Sequence, residues 1–352
     1  LEIVLRKRST FLMEQLGEFA IEEPGEEPGS ALSGTGPFYV TSEHGNEIEM
    51  RANASYYGGK VAIDRIVIKP YTSVRSAWAD MLRGKVDLLY DVGVDALDSL
   101  QLSNDVKVFT FQTRYADMVL LNVQKPYLRD PAFRRQLNAA IDRDTLVADV
   151  LRGHGTPAVT AVWPHHWAYT ADLPRFRYDP HPAASGAPRR HLTCIFSEPA
   201  SERLAIALQR QLEAVGVDLD LRLVSDEELF ERLRTGDFDA FLSYFLQGPN
   251  MLWPYLYWYT GAPSNQGHFS SPQVDRALDT IRHAADDSTY KAGVAAFEDA
   301  MVNDPPAIFL AWRERARAVS TRFHVPGDAG ADVLFTLREW RLAGDARAAR
   351  GN

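Results

Sequence analysis

A chain of 352 residues, 45% hydrophobic and 24% charged, is too long for one ordinary core and suits two domains or lobes rather than a disordered segment. Its formal charge of -9 excludes a general nucleic-acid binder, which needs a basic face for phosphates. The single cysteine, Cys194, excludes a disulfide framework or a cysteine-rich zinc site within one chain, and its apolar setting LTCIF makes it a small core residue.

No apolar run approaches the roughly 20 residues that span a bilayer. The opening LEIVLRK alternates as a strand does, and a short helix is expected after Ser9 and Thr10. Arg6, Lys7 and Arg8 break the apolar run, so it is no signal-peptide core, and the chain reads as a processed form or a piece of something longer. Residues 22–35 are acidic and rich in Gly and Pro, which predicts a loop. GTGPFYV followed by EIEMRAN predicts a hairpin. IDRIVIKPY, a helix over Val74–Arg83, Gly84 and VDLLY then read as strand, helix, strand, a βαβ unit.

The apolar run Val119, Leu120, Leu121 leads through Asn122 and Lys125-Pro126 to Asp130-Pro131, which opens a helix because Asp accepts orphan N–H groups and Pro needs no donor there. Phe133, Leu137, Ala140, Ile141, Leu146 and Val150 continue at near-helical spacing until Gly153 and Gly155. The following AVWPHHWAYT holds His165 and His166, with His154 nearby. Adjacent imidazoles do not converge on one ion and no acid is fixed beside them, so no metal site is assigned. From residue 191 the pattern becomes strand HLTCIF, helix, Gly216, strand VDLDLRLV, helix over 226–235, Gly236 and strand FDAFLSYF, a second α/β series. No glycine-rich phosphate loop, Ser-His-Asp spacing, GxSxG elbow or HExxH is present, so neither a cofactor nor an enzyme is assigned.

The segment 244–259, YFLQGPNMLWPYLYWY, is rich in aromatics. It can be core, or it can offer flat apolar faces to a ligand with Gln247 and Asn250 as polar directors; both readings stay open. The candidate ligand-binding residues are Tyr244, Phe245, Gln247, Asn250 and Trp253, with Trp167 on the rim. A helix-loop-helix over SSPQVDRALDTIRHAADD, the strand PAIFLAW and a second strand near RARAVS close the chain, and GDARAARGN reads as a solvated end.

Several of these phrases together resemble family 5 extracellular solute-binding proteins of ABC importers, the dipeptide- and oligopeptide-binding family. Asn122, Lys125, Pro126, Asp130, Arg134, Leu137, Ala140, Ile141, Asp142, Arg143, Leu146, Gly153, Gly155 and Thr156-Pro157-Ala158 fall in one register of its pattern. Gly34 to Phe38, Asn53 to Lys60, Tyr178-Asp179-Pro180, and Pro306, Ile308 and Leu310 match further phrases. The resemblance implies a periplasmic-binding-protein-like α/β fold (class II) of two lobes, 1–121 plus 307–342 and 122–306, with crossings near Asn122 and Pro306. The first lobe is expected to be incomplete, since relatives are longer at the N-terminus.

The function implied is an extracytoplasmic receptor, periplasmic or membrane-anchored outside the cell. It would bind a peptide-like or other small solute between its lobes and deliver it, as a monomer, to the permease subunits. A ligand-sensing domain of a transcriptional regulator is the alternative. Peptide-binding relatives place an Asp where this chain reads Leu246-Gln247-Gly248-Pro249-Asn250, and the Arg that dipeptide binders use would fall in Phe196 to Ala200, where none stands. The expected solute therefore carries no charge at the amine-anchor position and is sugar-like or a larger peptide-like molecule held by stacking.

Overall fold

The computed structural model describes residues 2–17, 22–23, 33–93, 96–97, 100, 102–181, 188–327 and 330–344. The chain divides into two compact units, one of Leu1–Gly17 with Thr113–Arg313, the other of Glu18–Gln112 with Glu314–Asn352. This division differs from the one expected at Asn122 and Pro306. Asn122 is buried; its amide donates to the Gly236 and Phe238 carbonyls at 3.1 Å each, and its own oxygen accepts the Gln124 N–H. A turn bound so fully inside one unit is not where the chain leaves it.

The opening strand does not form. Residues 2–8 are exposed, with no ladder partner, and alternation without a neighbouring strand has nothing to bury against. The short helix follows as α1 (Leu12–Gly17), and Phe11 before it is buried in the core of the first-named unit.

In the other unit β1 (Glu22–Glu23) pairs with β2 (Ser33–Gly34). Residues 24–32 of the expected 22–35 loop, like most of the expected solvated end, lie outside the described residues. The predicted hairpin is β3 (Phe38–His44) with β4 (Glu47–Ala52), turning at Gly45 with φ 61°, a conformation that costs glycine nothing. β5 (Arg65–Ile68) adds to β4 antiparallel. α2 (Val74–Leu82), capped by Ser73, leads to β6 (Leu88–Leu89). The expected βαβ unit over residues 63–90 is thus not one. β5 belongs to the hairpin sheet, whereas β6 pairs antiparallel with Ala318 and Val319 near the end of the chain, so α2 joins two sheets instead of crossing over one.

β7 (Val106–Leu121) carries the chain into the first-named unit. Its Ala116, Met118 and Leu120 enter one core while Val119 and Leu121 enter another, as the period of two requires. The helical stretch after it forms two helices, α3 (Pro131–Ala139), capped by Asp130, and α4 (Arg143–Asp149), capped by Asp142. At their corner Arg143 is buried and donates to the carbonyls of Phe309, Asn138 and Ile141 and to the Asn138 side-chain oxygen. Burial pushes its pKa down to about 10.

After β8 (Gly155–Pro157), the second α/β series forms as read. β9 (Arg190–Phe196), α5 (Glu202–Ala214) and β10 (Val217–Leu223) make a parallel pair with its crossover, and α6 (Asp226–Thr235) returns the chain to β11 (Ala240–Leu246), parallel to β9 and antiparallel to β7. Gly216 and Gly236, at φ 83° and 71°, end the two helices. α7 (Leu252–Trp258), α8 (Pro272–His283) and α9 (Asp287–Asn303) follow. Gly293 lets the last two approach, because a Cβ there would lie 2.7 Å from Ile281. The two strands expected next are one, β12 (Ala307–Ser320), and a short antiparallel pair follows, β13 (Phe323–His324) with β14 (Arg341–Leu342).

The strand order is β10-β9-β11-β7-β12-β6, with β8 also on β12. One face of this sheet packs on α3, α4 and α5 through Leu137, Ile141, Leu146, Leu208 and Leu212. The other packs on α7, α8 and α9 through Trp258, Leu278, Ile281, Phe297 and Met301.

Candidate functional site

In a sheet with parallel strands, helices cover the faces, so the crevice at the carboxyl ends of the strands is where unlike loops converge. Here that end is formed by Ser197 and Glu198 after β9, Tyr244 to Leu246 in β11, Thr113 to Asp117 in β7, and Arg313 in β12. Tyr244 pairs with Asp117 in the ladder, and the rings of Tyr115 and Tyr244 meet edge to face at 5.3 Å. Arg313 lays its guanidinium 5.7 Å from the Tyr244 ring centre.

The electrostatics centre on Asp117, which is 1% exposed in the continuously buried end of β7. Arg313 Nε donates to Asp117 Oδ1 at 2.8 Å, and Nη2 reaches the same oxygen. Burial alone would lower the Arg313 pKa, but the charge and hydrogen bond of Asp117 outweigh it and raise it, with a further contribution from Glu198. Glu198 stands 4.0 Å from Nη2 with its side chain half exposed. The pair leaves a fixed, self-neutralised dipole beside aromatic faces, and such a surface orients a polar solute without requiring a charged one.

α7 adds Trp253 and Tyr257, one helical turn apart, their rings 6.3 Å from each other. Burial raises the Tyr257 phenol pKa, and the neighbouring Tyr244 and Tyr115 raise it further. At the same strand ends Trp163 lies under the Arg114 guanidinium at 5.6 Å.

The structure separates the sequence-derived candidates. Tyr244 is exposed at this end, and Trp253, on α7, is half-buried. Phe245 is a correction: it is fully buried against Tyr257, Trp258, Phe309 and Trp312, because the strand period turns it opposite to Tyr244. Gln247 is also corrected. It is fully buried, its oxygen accepting the Trp163 N–H at 2.6 Å and its amide facing Met251 Sδ, so both ends are spent on the fold. Asn250 caps the turn into α7 through the Leu252 N–H and donates to the Thr10 carbonyl, a structural use. Trp167, 47% exposed, rests on Tyr290 at 4.7 Å with Lys291 above it; its ring belongs to the helix α9 side rather than to the Tyr244 group. His166 is buried, its Nδ1 accepting the Ala168 N–H, and burial lowers its pKa to about 4. Among the described residues no group of three or more His, Cys, Asp and Glu could hold a metal.

Sequence reading missed Tyr115, Asp117, Tyr257 and Arg313. One signal was present: Asp117 falls in phase with Val119 and Leu121, and an acid on the buried side of a strand calls for a cation from elsewhere.

A two-unit α/β chain with helices on both faces of a mixed sheet and an aromatic, ion-paired strand end has the make-up of a solute-binding protein. The sequence pattern of the bacterial extracellular solute-binding proteins, family 5, in its middle region, matches residues 3–267, and the chain belongs to that family, one of binding proteins rather than enzymes. It is 23% identical over 293 residues to the probable D,D-dipeptide-binding periplasmic protein DdpA of Escherichia coli (strain K12), covering 79% of this chain and 56% of that protein. Among solved structures it is similar to NikZ from Campylobacter jejuni in complex with Ni(L-His), with a TM-score of 0.75 at 20% identity over 87% of this chain and 68% of that one. It is also similar to the oligopeptide-binding protein AppA from Bacillus subtilis in complex with a nonapeptide, with a TM-score of 0.73 at 20% identity over 88% of this chain and 66% of that one. At such identities these structures speak for the fold alone. The chain spans about half the length of the curated relatives it matches.

Proposed function

We propose that this chain is the solute-holding part of an extracytoplasmic receptor that serves an ABC importer's permease, and that its solute is peptide-like or sugar-like and lies against the strand-end face of Tyr115, Tyr244, Trp253 and Tyr257. The observation that carries the reading is the Asp117–Arg313 pair beside the Tyr244 ring. A buried carboxylate and a partly exposed guanidinium are costly to assemble in a fold, and here they stand where strand ends, aromatic faces and a half-exposed Glu198 converge. Family membership supports the receptor role; the ligands named for relatives, from D,D-dipeptides to a nickel–histidine complex, support a site whose chemistry varies between members. Stacking on three or four rings suits a solute with apolar or sugar faces, each ring worth about 0.5–1.5 kcal/mol beyond area burial.

Native mass spectrometry of the purified protein, alone and after incubation with a mixed peptide digest and with a maltodextrin mixture, tests this. Retention of a member of one mixture is expected. A folded protein that retains neither, and carries nothing from its host, contradicts the proposal.

A further inference from the structure

Glu298 of α9 is fully buried, and no step of solute binding described above uses it. Both of its carboxyl oxygens lie 3.1 Å from the Ala161 N–H. Ala161 sits in the middle of the 158–163 segment, which has further ties: the Ala158 N–H donates to the Leu310 carbonyl, the Val159 carbonyl accepts the Phe176 N–H, and the Trp163 N–H donates to the buried Gln247 side chain. Gln247 in turn donates its backbone N–H to the Arg114 carbonyl at 2.9 Å, and Arg114 covers the Trp163 ring. One buried acid therefore anchors, from inside the core, a segment whose far end stands at the strand ends beside Arg114 and Gln247. A buried apolar side chain of the same size would fill the space equally well but would leave the Ala161 N–H without its acceptor.

We propose that Glu298 is a positioning residue for the candidate solute face, holding the 158–163 segment so that Trp163 stands in register with Arg114 and Gln247. In calling that face a solute face the inference rests on the reading above, but the contact chain does not. The acidity of Glu298 is set first by burial, which raises its pKa to about 8, and second by the Ala161 N–H, which opposes that rise; among the described residues no charged side chain of α8, α9, the 158–163 segment or β12 enters the balance. Ionisation in the mildly alkaline range therefore places an unpaired charge under the segment.

The test uses 5-fluorotryptophan-labelled full chain and 19F NMR, with the Trp163 signal assigned by its loss in Trp163→Phe. In wild type the signal is expected to move between pH 6 and 10 with a midpoint near 8. In Glu298→Gln, which keeps an acceptor but cannot ionise, it should stay in place throughout. In Glu298→Leu it should be displaced already at pH 6. A wild-type signal that does not titrate, or a Glu298→Gln signal that titrates like wild type, overturns the proposal. So does a folded Glu298→Leu with the wild-type signal, which would reduce Glu298 to a space filler. If Glu298→Leu does not fold, the glutamine comparison decides. No ligand is needed, so a protein that retains no solute can still pass this test, and one that retains solute can still fail it.

Discussion

Tyr244 and Phe245 are neighbours in one strand with opposite fates. Tyr244→Ala should weaken solute binding by about 1–3 kcal/mol, as for a lost stacking face, with the melting temperature nearly unchanged. Phe245→Ala should cost about 3–5 kcal/mol of stability through its cavity, measured by denaturant unfolding. The reverse outcome would exchange their roles. The aromatic stretch at 244–259 was legible as chemistry-bearing, but its sorting was not, because strand period and a partner for Gln247 decide which side chains remain available. Arg313 was hidden for another reason: its carboxylate lies 196 residues away, and no local pattern announces such a pair.

At the scale of elements, what local chemistry specifies could be read. Asp130 and Asp142 cap α3 and α4, Gly216 and Gly236 stop α5 and α6, and the period of two in β9, β10 and β11 marks their buried faces. What pairing specifies could not. VDLLY reads as the closing strand of a βαβ unit, yet its partner is β12, and the described residues 2–7 of the opening stretch have no ladder partner. The α3–α4 corner shows the cost of a long-range link. Arg143 spends its planar fork on carbonyls of α3 and β12, so Arg143→Lys, which keeps the charge but loses the fork, should destabilise by about 2–4 kcal/mol through the acceptors left unpaired. A lysine variant as stable as wild type in urea would show the corner to be held by packing instead.

For the whole molecule, two buried groups set opposite arms of a stability profile. Glu298, raised to about 8 by burial, contributes stability that is fully present below its unfolded pKa and is lost as pH rises through 8. His166, lowered to about 4 by burial, contributes stability present above its unfolded pKa and lost as pH falls through 4. Stability should therefore be greatest at mildly acidic pH and decline toward 8 by a few kcal/mol, and Glu298→Gln should flatten the alkaline arm alone; a melting profile unchanged by that substitution would speak against a neutral buried acid. The central claim, that the strand-end face of the unit holding residues 113–313 receives the solute, is tested most directly by hydrogen–deuterium exchange with and without whichever solute native mass spectrometry finds retained. Slowed exchange is predicted in segments 113–117, 244–246 and 253–258. Protection confined to segments elsewhere, with these three unchanged by a bound solute, would contradict it.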